Sequence, residues 1–115
     1  MKAEYDLEDN TPIKHICEAV EAAHVKIQQD FEQINPVVAV NRKMRDFGIA
    51  TDLMTIDCLR TGKRILLVLH DAEPNTADYQ ICHRNEDPGD EFNRIPLTTI
   101  TPQTLYNWMR DTFSN

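Results

Sequence analysis

The amino-acid sequence predicts an α+β fold: an antiparallel sheet of three to four strands flanked by a long N-terminal helix, a short second helix and a C-terminal helix. Three features carry that expectation. Apolar residues recur at helical spacing after Thr11-Pro12, apolar and polar residues alternate on either side of Thr61-Gly62, and Thr101-Pro102 opens a second amphipathic stretch. The acidic segment 1–10 is expected to be a flexible N-terminus, and residues 11–115 a single domain of ordinary size.

The first helix starts at Thr11, whose hydroxyl suits an N-cap, with Pro12 in the first turn, where a missing N–H costs nothing. Ile13, Cys17, Val20, His24, Ile27, Phe31 and Ile34 then follow in 4-3-4-3 steps, the spacing of a heptad seam. Asn35-Pro36 closes the helix after about 22 residues, because the residue before proline is pushed out of the helical region. The same dipeptide reads as the start of the second helix, with Val37, Val40, Met44 and Phe47 on one face and Gly48 as its C-terminal cap. A strand from Val37 to Val40 is the competing reading, favoured by three valines in four residues.

Leu53 to Arg60 and Lys63 to Asp71 form a hairpin about Thr61-Gly62, the second strand holding the apolar run Ile65–Leu69. Asp78 to Arg84 supplies a third strand, an acidic loop spans Glu86 to Glu91, and Ile95 to Ile100 fits an edge strand that tolerates Pro96. In the closing helix Leu105, Trp108 or Met109, and Phe113 share a face.

Composition narrows the function. The net charge of −7 argues against nucleic acid and against an anionic membrane as partner. An apolar run of five residues cannot cross a bilayer, and the acidic start lacks the basic, hydrophobic order of a signal peptide, so a cytoplasmic location is expected. Cys17, Cys58 and Cys82 lie far apart without C-x-x-C spacing. Three glycines form no phosphate-binding loop, Ser114 is the only serine, and no H-E-x-x-H occurs, so no cofactor and no metal are expected. The size, acidity and helix–sheet–helix order resemble those of small acidic bacterial secretion chaperones, a likeness of element order that no motif accompanies.

Two arrangements of side chains invite functional readings. If Arg60 faces Lys63 and Val68 pairs with Ile81, then Asp57, His70, Tyr79 and His83 share the sheet face opposite the core. An Asp, two imidazoles and a phenol there suit acid–base chemistry or metal binding, although a one-residue slip would scatter them. Between Arg42 and Arg64, six basic residues face three acidic ones, a local balance of +3 that leaves −10 on the remainder. Arg42, Lys43 and Arg45 make this a docking patch for an acidic partner, or else ordinary solvated charge. His24, one heptad from Cys17, is expected to interrupt a subunit seam and to make its assembly sensitive to pH.

The expectation is therefore a non-enzymatic protein that acts through protein–protein contacts as an adaptor, chaperone or inhibitor, homodimeric through its N-terminal helix. Its interaction residues would be His24, Arg42, Lys43 and Arg45. The alternative is a small enzyme or ligand-binding protein using Asp57, His70, Tyr79 and His83.

Overall fold

Thr11 and Pro12 start the first helix as the sequence predicts: the Thr11 hydroxyl accepts a hydrogen bond from the Lys14 N–H, and Pro12 occupies the first helical position. The structure is a computed structural model that describes residues 11–114, so the acidic segment 1–10 lies outside the described residues. Helix α1, Pro12–Asp30, is shorter than the apolar repeat suggests. Phe31 is already extended, and Ile34 is buried outside the helix as the chain turns back toward the sheet.

The stripe that α1 buries is also displaced from the expected one. Ile13, Val20 and Ile27 belong to both, but Ile16, Ala19 and Ala23 fill the core, while Cys17 and His24 sit half-buried at its margin. A 3-4-3-4 series through Ile13, Ile16, Val20, Ala23 and Ile27 is as regular as the 4-3-4-3 series. Ala19 and Ala23 are small members of this buried stripe, and small side chains let packed elements approach closely.

Five strands follow: β1 (Val37–Asn41), β2 (Thr51–Asp57), β3 (Lys63–His70), β4 (Thr76–His83) and β5 (Asn93–Pro96). They form one antiparallel meander in the order β1-β2-β3-β4-β5. Helix α2, Pro102–Phe113, repeats the opening device, with Thr101 capping the Thr104 N–H. Both helices cover one face of the sheet. Ile16, Val20 and Ile27 of α1, Leu105, Met109 and Phe113 of α2, and Met54, Ile56, Ile65 and Leu67 of the sheet form one buried core.

The expected second helix is not there. Val37–Asn41 is the edge strand β1, and only Lys43–Phe47 winds, as a 3-10 turn ended by Gly48 at φ +79°. Pairing with β2 decided this, because the ladder Val38↔Ile56 and Val40↔Met54 places two valines over the core. Among the described residues the sheet therefore has five strands rather than three or four, and there are two α-helices rather than three. Pro96 does lie on an edge strand, and the chain after it forms a short 3-10 turn, Leu97–Thr99, instead of continuing the strand to Ile100.

The face assignments divide by parity. In the β2–β3 hairpin the register is Asp57↔Arg64, two residues from the expected one, and a two-residue shift leaves every side chain on its face. Met54, Ile56 and Cys58 accordingly share the core side with Ile65, Leu67 and Leu69. In the β3–β4 pair Val68 meets Asp78 rather than Ile81, a three-residue shift that turns β4 over. Tyr79 and His83 thus lie on the helix side, and Cys82 on the open side.

Candidate functional site

The four-residue constellation of Asp57, His70, Tyr79 and His83 is not assembled. Tyr79 stacks on Trp108 of α2, with ring centroids 4.4 Å apart and planes 28° from parallel. His83 is exposed at the far end of β4, on the helix side beside Gly62. Asp57 and His70 do share the open face, but Asp57 lies opposite Arg64, six residues before His70 on β3. At about 3.4 Å per residue that is roughly 20 Å, too far to act on one atom.

Each of the two is also engaged. Asp57 accepts two hydrogen bonds from the Arg64 guanidinium, at 2.7 and 2.8 Å, with Arg84 at 3.7 Å. His70 lies 3.2 Å from the Thr51 hydroxyl through Nδ1 and 3.4 Å from Asp78 through Nε2. Asp78 accepts two hydrogen bonds from Arg94, at 2.8 and 3.2 Å, and these hold its carboxyl below the usual carboxylate range. Among the described residues no three His, Cys, Asp or Glu side chains gather as a metal site. Burial raises the thiols of Cys17 and Cys82, leaving both protonated and weakly nucleophilic at neutral pH.

Most of the basic cluster is spent inside the fold. The Arg45 guanidinium spans two carboxylates, donating to Asp52 at 2.8 and 2.9 Å and to Asp71 at 2.7 and 2.8 Å. Arg42 adds a third hydrogen bond to Asp52, at 2.9 Å. The Asp52 side chain is only 5% exposed. Burial pushes its carboxyl up, but the bonds from Arg45 and Arg42 outweigh that and keep it below the usual range. Arg60 donates to the Phe113 carbonyl, meeting the negative end of α2. Of the residues expected to dock a partner, Lys43 alone is exposed, whereas Arg42 and Arg45 are half-buried counter-ions.

Those ion pairs have a structural product. They clamp the Lys43–Phe47 turn against the starts of β2 and of the segment after β3, and the clamped turn presents Phe47 at 81% exposure, with Ile49 at 45%. Between this knuckle and the second half of β1 lies an open depression of about 570 Å³, lined by Ala39, Val40, Asn41, Lys43 and Asp46 among others. In the sequence Phe47 stands at helical spacing with Val37, Val40 and Met44, a pattern that conceals its exposure on a turn. Its position directly before Gly48, past the last strand partner, was the available signal.

On the open face the acidic loop is pinned rather than free. Gln80 donates to the carbonyls of Gly89 and Glu91, at 3.0 and 2.7 Å, and accepts from the Gly89 N–H at 2.9 Å. Among the described residues no helix is long and apolar enough to cross a membrane. The chain matches no known protein family, no curated protein and no solved structure.

Proposed function

We propose that this protein works by protein–protein contact, as an adaptor, chaperone or inhibitor does, and that the Phe47 knuckle is its contact point. The observation that carries this reading is a large aromatic ring left in water on a turn that Arg45 holds rigid. Burying a Phe side chain gains about 2 kcal/mol, and a rigid turn keeps more of that gain because little freedom is lost on binding. Aromatic anchors in such positions are the usual centres of interfaces. The partner would offer an apolar pocket for Phe47 and Ile49, with an acidic group at its rim for Lys43.

The reading is tested with a photo-crosslinking phenylalanine analogue at position 47. Capture of one defined protein in native extract is expected, with the same analogue at Asp111, on the exposed side of α2, as the control position. The Phe47→Asp variant, used as competitor, should fail to block that capture, whereas the wild-type chain blocks it. Equal capture from both positions, or equal competition by Phe47→Asp, overturns the assignment.

A further inference from the structure

We propose that β1 is a self-pairing edge: two copies of this chain join antiparallel through Val37–Asn41, about a two-fold axis at Ala39, into one continuous ten-stranded sheet. The proposal rests on the reading of the protein as an interaction module and names a second copy as one of its partners.

The two sheet edges are built differently. β5 has four residues, carries Arg94 and ends at Pro96, all features that discourage another strand from adding. Val37–Asn41 contains no charge, no proline and no bulge, and among the described residues no backbone hydrogen bond outside its ladder with β2 involves it. Its outward N–H and C=O groups therefore offer a strand-length template.

The occupant that fits is the same strand. Antiparallel pairing about Ala39 sets Val37 opposite Asn41 and Val38 opposite Val40, and brings the two exposed Ala39 methyl groups together at the axis, where a larger side chain would crowd its own image. On the helix side, Val38 borders a groove of about 300 Å³ shared with Cys17, Val20, Glu21 and His24. In that groove His24 Nε2 is shielded from solvent and has no hydrogen-bond partner among the described residues. The partner's Val40, opposite Val38, would cover its mouth.

Charge agrees with this polarity. The axis carries exposed Lys43, just after β1, toward the start of the partner's β1, where exposed Glu32 follows the end of α1. Helix α1 has no basic residue in its last turn, and Lys26, one turn back, lies 3.6 Å from Asp30, so the partner's Lys43 would add a second cation near its negative end. Parallel pairing would set Lys43 beside Lys43. The expected helix seam is a poorer interface, because Ile13, Val20 and Ile27 are already buried inside one chain.

The test combines sedimentation with zero-length carbodiimide coupling of a mixture of nitrogen-14 and nitrogen-15 chains. Within one chain the whole of β1, about 17 Å long at about 3.4 Å per residue, lies between Lys43 and Glu32. A Lys43–Glu32 link of mixed isotope composition therefore reports antiparallel pairing. The wild type is expected to reach twice the chain mass with rising concentration and to give that link. Ala39→Lys sets like charges face to face at an exposed position, and should sediment as one chain with an unchanged circular-dichroism spectrum and the unfolding midpoint of wild type diluted to single chains. Should that variant fail to fold, the wild-type link decides alone.

A wild type that stays single at every concentration, a doubled mass without the Lys43–Glu32 link, or a folded Ala39→Lys that still pairs overturns the proposal. A single-chain wild type whose position-47 analogue still captures a foreign protein rejects self-pairing and keeps the interaction reading. Mixed-isotope dimers without any Phe47 capture do the reverse.

Discussion

Arg45 grips Asp52 through two hydrogen bonds of 2.8 and 2.9 Å, and this pair, buried on the carboxylate side, fixes the turn that carries Phe47. Removing one partner of a buried pair leaves a charge without compensation. Arg42 still reaches Asp52, so the Arg45→Ala variant is expected to lose about 3 kcal/mol, the low end of the range for such pairs. A urea titration that finds the midpoint unmoved would show the pair to be ornamental.

Acid should weaken the fold in a definite window. Arg45 holds the Asp71 carboxyl low, Arg94 holds Asp78 low, and Asp52 stays low against its burial. A carboxylate depressed in the folded state stabilises fully above its unfolded pKa of about 3.9, and that contribution fades as pH falls through the lower folded value. Unfolding midpoints should therefore drop below about pH 4. Asp78→Asn, already weaker at pH 5, should drop less between pH 5 and 3; an equal drop for variant and wild type would contradict the Arg94 pairing.

The displaced stripe on α1 makes a prediction that the heptad seam would reverse. Ile16 is fully buried, so Ile16→Ala should cost about 3 kcal/mol, whereas Cys17→Ala at the margin should cost under about 1 kcal/mol. The two denaturation midpoints settle the order. If Cys17→Ala proves the costlier change, the helix is rotated relative to the packing described.

Gln80 should behave as the latch of the acidic loop. The Gln80→Ala change removes all three hydrogen bonds that tie Gly89 and Glu91 to β4. A loss of about 1 kcal/mol is expected, with faster amide exchange at Gly89 and no change at Ile56 in the core. Unaltered exchange at Gly89 would mean that the loop is held by other contacts.

Features that depend on neighbours along the chain were legible before the fold was known. Thr11-Pro12 and Thr101-Pro102 cap their helices, Gly48 and Gly62 take positive φ in their turns, and the alternation through Met54, Ile56, Ile65 and Leu67 marks a core face. Caps and turns satisfy backbone groups within three or four residues, so no distant contact is needed to read them.

Features that depend on a partner distant along the chain emerged only with the fold. The segment Val37–Asn41 is compatible with helix or strand until β2 lies beside it. The faces of Tyr79 and His83 depend on an odd or even count across one turn, which composition does not specify, and this scattered the expected Asp57, His70, Tyr79 and His83 cluster. Arg42 and Arg45 look like free cations until Asp52 and Asp71, 7 to 26 residues from Arg45 along the chain, fold against them. A charge's availability and a strand's face are both set by pairing across space, and pairing across space is what the folded chain adds to its sequence.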